Sequence, residues 1–413
     1  MGATTTKNKG GFKLITGDKV LWVILAALAV ISILVVYSSS AKMGYNVREA
    51  RSVTDLLREQ LINVVGCTFV LLVVHKINCR FYGRLAWLIY ALCWLLTLAP
   101  YFKDSTINDA HRWIFGIQPN EALKIATVIL LARQLAARQS IMDKLRIIPS
   151  FNPAKWTTPE QKKIWREGTM PILMPVVMAC AVILPAHTSA ALLVFVISLI
   201  MMYVGRVKKS ELLKIIILAG ALGLMLSVFQ LGRTGTAGGR MSTWTQTLFE
   251  SRTNVPANNL TDTERSMIAI YEGGLFGKGA GQSAVRVELM HPECDYTFAF
   301  FVEEYGLFMA LIVMSFYMWI AVRGIVIFTR CETAFPGLLV LGLVMIVALQ
   351  AMLHIFVSVN LFPETGQTLP FISRGGSSML IATIAMSIVL SVSRQIDEKS
   401  HDKPRGESML ERG

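Results

Sequence analysis

Long apolar runs separated by short polar stretches recur along the whole chain. They fall at about Val20–Val36, Leu61–Val74, Leu85–Leu98, Ala122–Ala137, Met170–Leu184, Ala190–Val204, Leu212–Leu231, Phe298–Ile327, Gly337–Val359 and Met379–Val392. A spanning helix needs about 20 predominantly apolar residues, so flanking residues must extend several of these runs. In lipid a helix is the only open-chain solution, because it satisfies each backbone polar group within its own segment. The pattern predicts an all-α polytopic membrane protein with about ten transmembrane helices. The first run follows Lys7, Lys9, Lys13 and Lys19 and precedes Ser38-Ser39-Ser40-Ala41, which imitates a signal peptide. It is longer than the roughly 7–15 residues of a signal core, so it reads as an uncleaved span.

Ten spans place both termini on one side. The basic residues between spans then gather there: Lys76, Arg80 and Arg84; Arg133 to Arg166; Lys208 and Lys209; and Arg394 onward. The excess of Lys and Arg in cytoplasmic loops makes that side, with both termini, cytoplasmic. The expected organisation is a cytoplasmic tail over 1–19, a transmembrane domain over 20–393 and a charged cytoplasmic tail over 394–413. Three segments face the other side, Phe102–Glu121, a long loop at about 232–295 between spans 7 and 8, and Asn360–Ser378.

Composition agrees with the pattern. Of 413 residues, 54% are hydrophobic and 16% charged, with mean hydropathy +0.53. A soluble chain carries about 25% charge. Disorder, collagen and coiled coil are excluded. The net charge of +13 is explained by cytoplasmic loops and implies no nucleic-acid partner. The six cysteines contain no CxxC pair, so neither a disulfide framework nor a zinc site is expected. Gly277-Lys278-Gly279-Ala280-Gly281 imitates a dinucleotide fingerprint, but its spacing is GxGxG and no βαβ unit surrounds it.

The three outward segments hold the candidate chemistry. The first has Arg112 and Trp113, then Gln118-Pro119-Asn120-Glu121-Ala122-Leu123-Lys124. Pro119 suits a first helical position. Glu121 and Lys124, three apart on one helix face, should pair. The third runs from Pro363 through Gly366 and Pro370 to Ser373, then Gly375-Gly376-Ser377-Ser378. That last stretch reads equally as an anion-binding helix start or as a tight turn with a small-residue packing face. The long segment carries Lys278 and ends at Asp295, with Glu303 and Glu304 further on. On a continuous helix Glu303 would lie about 12 Å deeper than Asp295 and about 80° round, with Glu304 nearly opposite. Asp295 alone could be a helix cap, and Glu303 is the better candidate to share its cavity.

These three motifs, in this order, resemble the SEDS (FtsW/RodA/SpoVE) family of bacterial cell-wall proteins. The resemblance runs from Asp18 to Ser393 and includes Tyr37-Ser38-Ser39-Ser40 and Gly273–Gly279. It is closest to the family's division members. Two departures stand out. Asn120 replaces a usual serine. Leu184-Pro185-Ala186-His187-Thr188-Ser189 stands where the family often has Gln-Pro-Asp-x-Gly-Thr, so no catalytic role is assigned there.

The resemblance implies an inverting peptidoglycan glycosyltransferase that uses an undecaprenyl-diphosphate-sugar donor. It would polymerise lipid II into a nascent glycan strand at the outer face of the bacterial inner membrane, at the division septum. Its partners would be membrane lipids, a class B penicillin-binding protein acting as transpeptidase, and other divisome proteins. The family's essential loop aspartate falls on Asp295. A single displacement needs one base for the acceptor hydroxyl and charge neutralisation for the departing pyrophosphate. Asp295 is the candidate base. Arg112, Trp113, Lys278, Ser373, Gly375, Gly376, Ser377 and Ser378 are candidate substrate-binding residues. Gln118, Glu121, Lys124, Glu303, Pro363, Gly366 and Pro370 are supporting. A divalent cation, Mg2+ or Mn2+, is a candidate helper, its ligands unassigned; no organic cofactor is expected. Competing readings are a lipid II flippase, a non-enzymatic scaffold of cell division, and the elongation polymerase of the same family.

Overall fold

The computed structural model describes residues 15–40, 53–102, 118–146, 159–228, 234–249, 260–283 and 295–402. Helices account for the regular structure, and no strand occurs among the described residues. In chain order they are α1 (Lys19–Ser40), α2 (Val53–Val74), α3 (Cys79–Leu98), α4 (Pro119–Ala137), α5 (Pro159–Ile164), α6 (Met170–Ile183), α7 (Thr188–Val204), α8 (Lys209–Val228), α9 (Thr234–Phe249), α10 (Asp262–Gly273), α11 (Thr297–Thr329), α12 (Ala334–Ser358) and α13 (Gly376–Asp402). A π turn at Trp165–Thr169 joins α5 to α6. Each of the ten apolar runs lies largely or wholly within one of these helices. Among the described residues, seven helices are long and apolar enough to cross a membrane: α1, α2, α3, α5 with α6, α11, α12 and α13. The chain is thus a polytopic α-helical membrane protein.

Burial separates the centre of the bundle from its rim. The spans of α12 and α13 are 78% and 72% buried, against 17% for α2 and 22% for α3. A helix apolar all round belongs in a core, and α12 is one, packed by α4, α7, α11 and α13. The rim helices α2 and α3 turn Ile62, Val65, Phe69, Leu88 and Leu92 outward, as lipid-facing surfaces do.

Local chemistry sets several helix ends. Asp18 caps α1 by accepting from the Val20 and Leu21 N–H groups at 2.9 and 3.2 Å. The same carboxylate accepts from Arg323 Nε at 2.8 Å, tying the start of α1 to the end of α11. Thr261 and Glu264 form a capping box at the head of α10. At the end of α12, Asn360 takes a left-handed φ of 59°. The Asn360 N–H then bonds the Val357 carbonyl at 3.0 Å and the Leu361 N–H the Phe356 carbonyl at 2.8 Å, a Schellman closure.

Two segments hold more helix than their composition suggests. The long segment at 232–295 is not merely a loop, since it holds α9 and α10. Its Gly, Thr and Asn content hid the helical period, and α10 is recognisable only by its capping box. The charged segment from 394 continues α13 as helix to Asp402. There Arg394 donates to Glu398 one turn on and to the Lys76 carbonyl.

Candidate active site

Residues from the three outward segments meet at one end of the bundle, opposite the Asp18–Arg323 pair. The organising feature is a break in α11. Gly306 has φ 82° and ψ 168°, a region that is essentially glycine-only. The interruption leaves nearby carbonyls without helical partners, and the loop after α10 supplies donors. The Lys278 N–H bonds the Glu303 carbonyl at 2.9 Å, and the Gly279 N–H bonds the Glu304 carbonyl at 3.0 Å. In return the Leu307 N–H reaches the Gly274 carbonyl at 2.9 Å. Backbone lies on backbone here, since a Cβ on Gly277 would stand 2.2 Å from the Glu304 carbonyl oxygen. Of the glycines that imitated a nucleotide fingerprint, Gly277 serves this close approach.

The start of α11 changes the expected placing of the acids. Asp295 precedes α11 instead of opening it, so the regular-helix relation to Glu303 does not apply. The cause is that α11 starts only at Thr297, with Tyr296 before it in a non-helical conformation. Glu303 and Glu304 are both buried, at 0% and 1% exposure. Glu303 accepts from Ser283 and from Lys278 Nζ, the latter at 3.0 Å. Glu304 accepts from Ser38 of α1 and from the Gly281 N–H. Lys278 also donates to Glu272. Hydrogen bonding to Glu272, then to Glu303, holds its pKa above the usual lysine value. One ammonium thus stands between two carboxyls, a balance that fits a positioning role better than a pyrophosphate clamp.

The residues after Asp295 are pinned one by one. The buried Tyr296 hydroxyl donates to Glu364 and lies 3.3 Å from Thr263 Oγ1. Burial, then the Glu364 charge, drive its pKa well up. The Thr297 and Ser373 hydroxyls are 2.8 Å apart, and Ser373 Oγ also accepts from the Leu369 N–H at 2.8 Å. The Phe298 N–H points at His354 Nε2 at 3.3 Å, and His354 Nδ1 lies 2.8 Å from the Gln367 carbonyl. An amide N–H only donates and a carbonyl only accepts, so the proton is on Nδ1.

The same contacts fold the 360–375 loop. Ser189 Oγ donates to the Thr365 carbonyl at 2.7 Å, and His187 Nε2 reaches the Gly366 carbonyl at 3.3 Å. Gln350 donates to the Thr368 carbonyl at 3.1 Å while accepting from Lys124 Nζ at 2.8 Å. Lys124 also meets Glu121 at 2.8 Å, as its spacing predicted. Thr368 Oγ1 lies 2.9 Å from Ser378 Oγ. Gly366 takes φ 62° and Phe371 φ 67° to make the turns.

The predicted residues therefore divide. Asp295, Lys278, Glu303, Ser373 and Gly366 share one connected frame, which Glu121, Lys124 and Ser378 join through Gln350 and Thr368. Ser373 and Ser378 are buried and engaged in that frame, which suits support of the loop better than substrate contact. Gly375 and Ser377 are half-buried and Gly376 exposed, at the head of α13. Gln118 precedes α4 without a side-chain cap bond. Pro363 and Pro370 lie within the loop, with the Pro370 carbonyl accepting from Tyr317. Arg112 and Trp113 lie outside the described residues. Sequence reasoning missed Ser38, His187, Ser189, Gln350 and His354. The available signal was a polar side chain within or beside an apolar run.

Beside Glu364 a cavity of about 430 Å3 opens between α9, α10 and the 360–375 loop. Among the described residues no group of three His, Cys, Asp or Glu side chains could hold a metal ion.

Comparison with known proteins follows the same lines. The chain is 28% identical over 388 residues to Stage V sporulation protein E of Bacillus subtilis, covering 91% of this chain and 97% of that protein. It is 27% identical over 393 residues to the probable peptidoglycan glycosyltransferase FtsW of Marinobacter nauticus, covering 92% and 90%. In fold it is similar to a chain of a solved peptidoglycan synthase complex described as coordinating polymerization and crosslinking. The TM-score is 0.66 at 17% identity, over 92% of this chain and 98% of the other. The family model for cell cycle proteins of the FtsW/RodA/SpoVE type matches residues 18–398, and the chain belongs to that family.

Proposed function

We propose that this protein is a peptidoglycan glycosyltransferase that polymerises lipid II at the outer face of the cytoplasmic membrane. The observation that carries the reading is the fixed chain just after Asp295. Tyr296, Thr297 and Phe298 are each hydrogen-bonded to a different residue of the 354–373 region. Such anchoring fixes the backbone that follows Asp295 at the end of the bundle, which supports the steady placing that a general base requires. The names of the relatives and membership of the family support the same activity.

In the step proposed, a sugar hydroxyl of the acceptor attacks the anomeric carbon of the donor. Asp295 takes the hydroxyl proton as the new glycosidic bond forms. The bond from the anomeric carbon to the lipid pyrophosphate breaks, and its electron pair leaves with the pyrophosphate. One displacement inverts the α-linked donor to a β-linked product, so a second catalytic carboxylate is not needed. Arg112 and the N–H groups heading α13 at Gly376 and Ser377 are the candidate anion partners, the latter through the dipole of a helix start. Lys278 keeps the Glu303 loop in place.

We assign the partner as a class B penicillin-binding protein and the working place as the division septum. A transporter reading is less well supported, because transport sites lie near mid-membrane, whereas the Asp295 frame lies at one end of the bundle. The test is polymerisation of lipid II by the purified protein with its transpeptidase partner, crosslinking blocked. Wild type should yield glycan polymer and Asp295→Ala none while remaining folded. Polymer from a folded Asp295→Ala protein refutes the base assignment. No polymer from wild type beside a working polymerase control refutes the activity.

A further inference from the structure

We infer that the cavity of about 430 Å3 beside Glu364 is a saccharide subsite that takes a neutral N-acetylhexosamine ring of the glycan and excludes the lipid pyrophosphate. This rests on the proposed polymerase activity and adds the location and chemistry of one of its sugar-binding positions. The volume lies within the roughly 300–1,000 Å3 usual for small-molecule sites. Its lining includes Trp244, Thr243, Thr247, Asp262, Arg240 and Glu364.

Three features select a sugar. Trp244 is held by its own indole N–H, which donates to the Asn360 carbonyl at 3.0 Å. A ring fixed at one edge offers its face to the C–H side of a pyranose, a rigid apolar platform of the kind aromatic side chains supply. Around it stand the Thr243 and Thr247 hydroxyls, which donate to the Gly239 and Thr243 carbonyls of their own helix and keep lone pairs for a sugar hydroxyl, and carboxyls, which also accept from sugar hydroxyls. The charge balance completes the selection. Among the described lining residues, two carboxyls, Asp262 and Glu364, face one guanidinium, Arg240. That guanidinium is already directed at Glu364, with Nη1 3.4 Å from its carbonyl oxygen and Nε 4.0 Å from its carboxylate. A lining of this charge repels a pyrophosphate and tolerates an uncharged sugar.

The cavity also adjoins the reacting end. Glu364 in its wall accepts the hydrogen bond of Tyr296, the residue that follows Asp295. A ring bound there lies beside the loop that presents the base.

The experiment measures binding to the detergent-solubilised full chain by saturation-transfer NMR. The probes are the neutral β-1,4-linked tetramer of N-acetylglucosamine and, separately, inorganic pyrophosphate. The tetramer should bind wild type, with an acetamido or ring-proton signal that pyrophosphate does not displace. Trp244→Ala should weaken it at least tenfold, and Trp244→Phe should restore most of the binding. Circular dichroism and gel filtration check that both variants are folded. No tetramer binding to wild type, equal binding to folded Trp244→Ala, or displacement by pyrophosphate overturns the inference. Wild-type polymerisation of lipid II is measured on the same preparation. Polymer with no sugar binding removes the subsite alone, whereas no polymer removes the proposed activity.

Discussion

Gly306→Ala tests the break in α11 directly. The alanine has two separable costs. The first is conformational, since φ 82° with ψ 168° is a region that costs a residue with a side chain about 1–3 kcal/mol. The second is steric. Its Cβ would stand 2.4 Å from the Leu275 carbonyl oxygen and 2.5 Å from the Phe276 carbonyl carbon. These are backbone atoms, so relief requires the whole 274–283 loop to shift, at about 1–3 kcal/mol by analogy with overpacked cores. Gly279→Ala is the control. Gly279 has φ 100°, yet a Cβ there meets no atom within 4 Å, so only the conformational cost applies. Thermal unfolding in detergent should therefore show Gly306→Ala the less stable of the two, by about 1–3 kcal/mol. The shifted loop also carries Lys278 and Gly281 away from Glu303 and Glu304, so lipid II polymerisation should fall further in Gly306→Ala. Equal stability of the two variants, or a Gly306→Ala protein like wild type in both assays, would refute the reading of the break as a backbone staple.

Two further perturbations address the buried polar frame. Lys124, 1% exposed, meets Glu121 and Gln350 at 2.8 Å each. Lys124→Met should destabilise the protein by about 3–5 kcal/mol by leaving a buried acid without its partner. Adding Glu121→Gln should recover part of that loss in the same unfolding assay, and additive losses would count against a coupled pair. Ser38→Ala removes the hydroxyl that donates to Glu304 and accepts from the Gly281 N–H at 2.8 Å. Unfolding should cost about 1.5–3 kcal/mol less than in wild type, the range for a hydrogen bond to a charged group. A Ser38→Ala protein as stable as wild type would show that this contact does not hold α1 to the loop.

The bundle was legible because burial in lipid and helix formation leave the same mark, a run of apolar residues. Each run lies largely or wholly within a helix for that reason. The Glu121–Lys124 pair was legible too, because three-residue spacing on a helix fixes proximity. What escaped were contacts between segments distant in the chain. Nothing near His187 announces that it reaches Gly366, and nothing near Ser38 announces Glu304. The Gly306 break escaped for another reason. Its flanks, Glu303-Glu304-Tyr305 and Leu307-Phe308, are compatible with an unbroken helix, and only the pairing with the Gly274–Gly279 loop makes the interruption favourable. The same pairing explains Gly277 in the stretch Gly277-Lys278-Gly279-Ala280-Gly281 that imitated a dinucleotide fingerprint. Glycines that let backbone approach a phosphate equally let backbone approach backbone.

The buried histidines illustrate how the frame acts. His354 lies in an apolar helix, where a lone histidine would ordinarily be a satisfied core residue. Here its two nitrogens join unlike partners, the Phe298 N–H at 3.3 Å and the Gln367 carbonyl at 2.8 Å. The first is an N–H in the opening turn of α11, where no helical acceptor exists. The second belongs to a loop whose neighbouring carbonyls are taken by Ser189, His187 and Gln350. One imidazole therefore caps the helix that follows Asp295 and anchors the loop that supplies Glu364 to Tyr296. Moving either partner would disturb the other, so the position of Asp295 depends on α7 and α12 as well as on its own segment. That dependence gives polar residues a place in otherwise apolar helices here: they tie the bundle core to the loop and to the segment that follows Asp295.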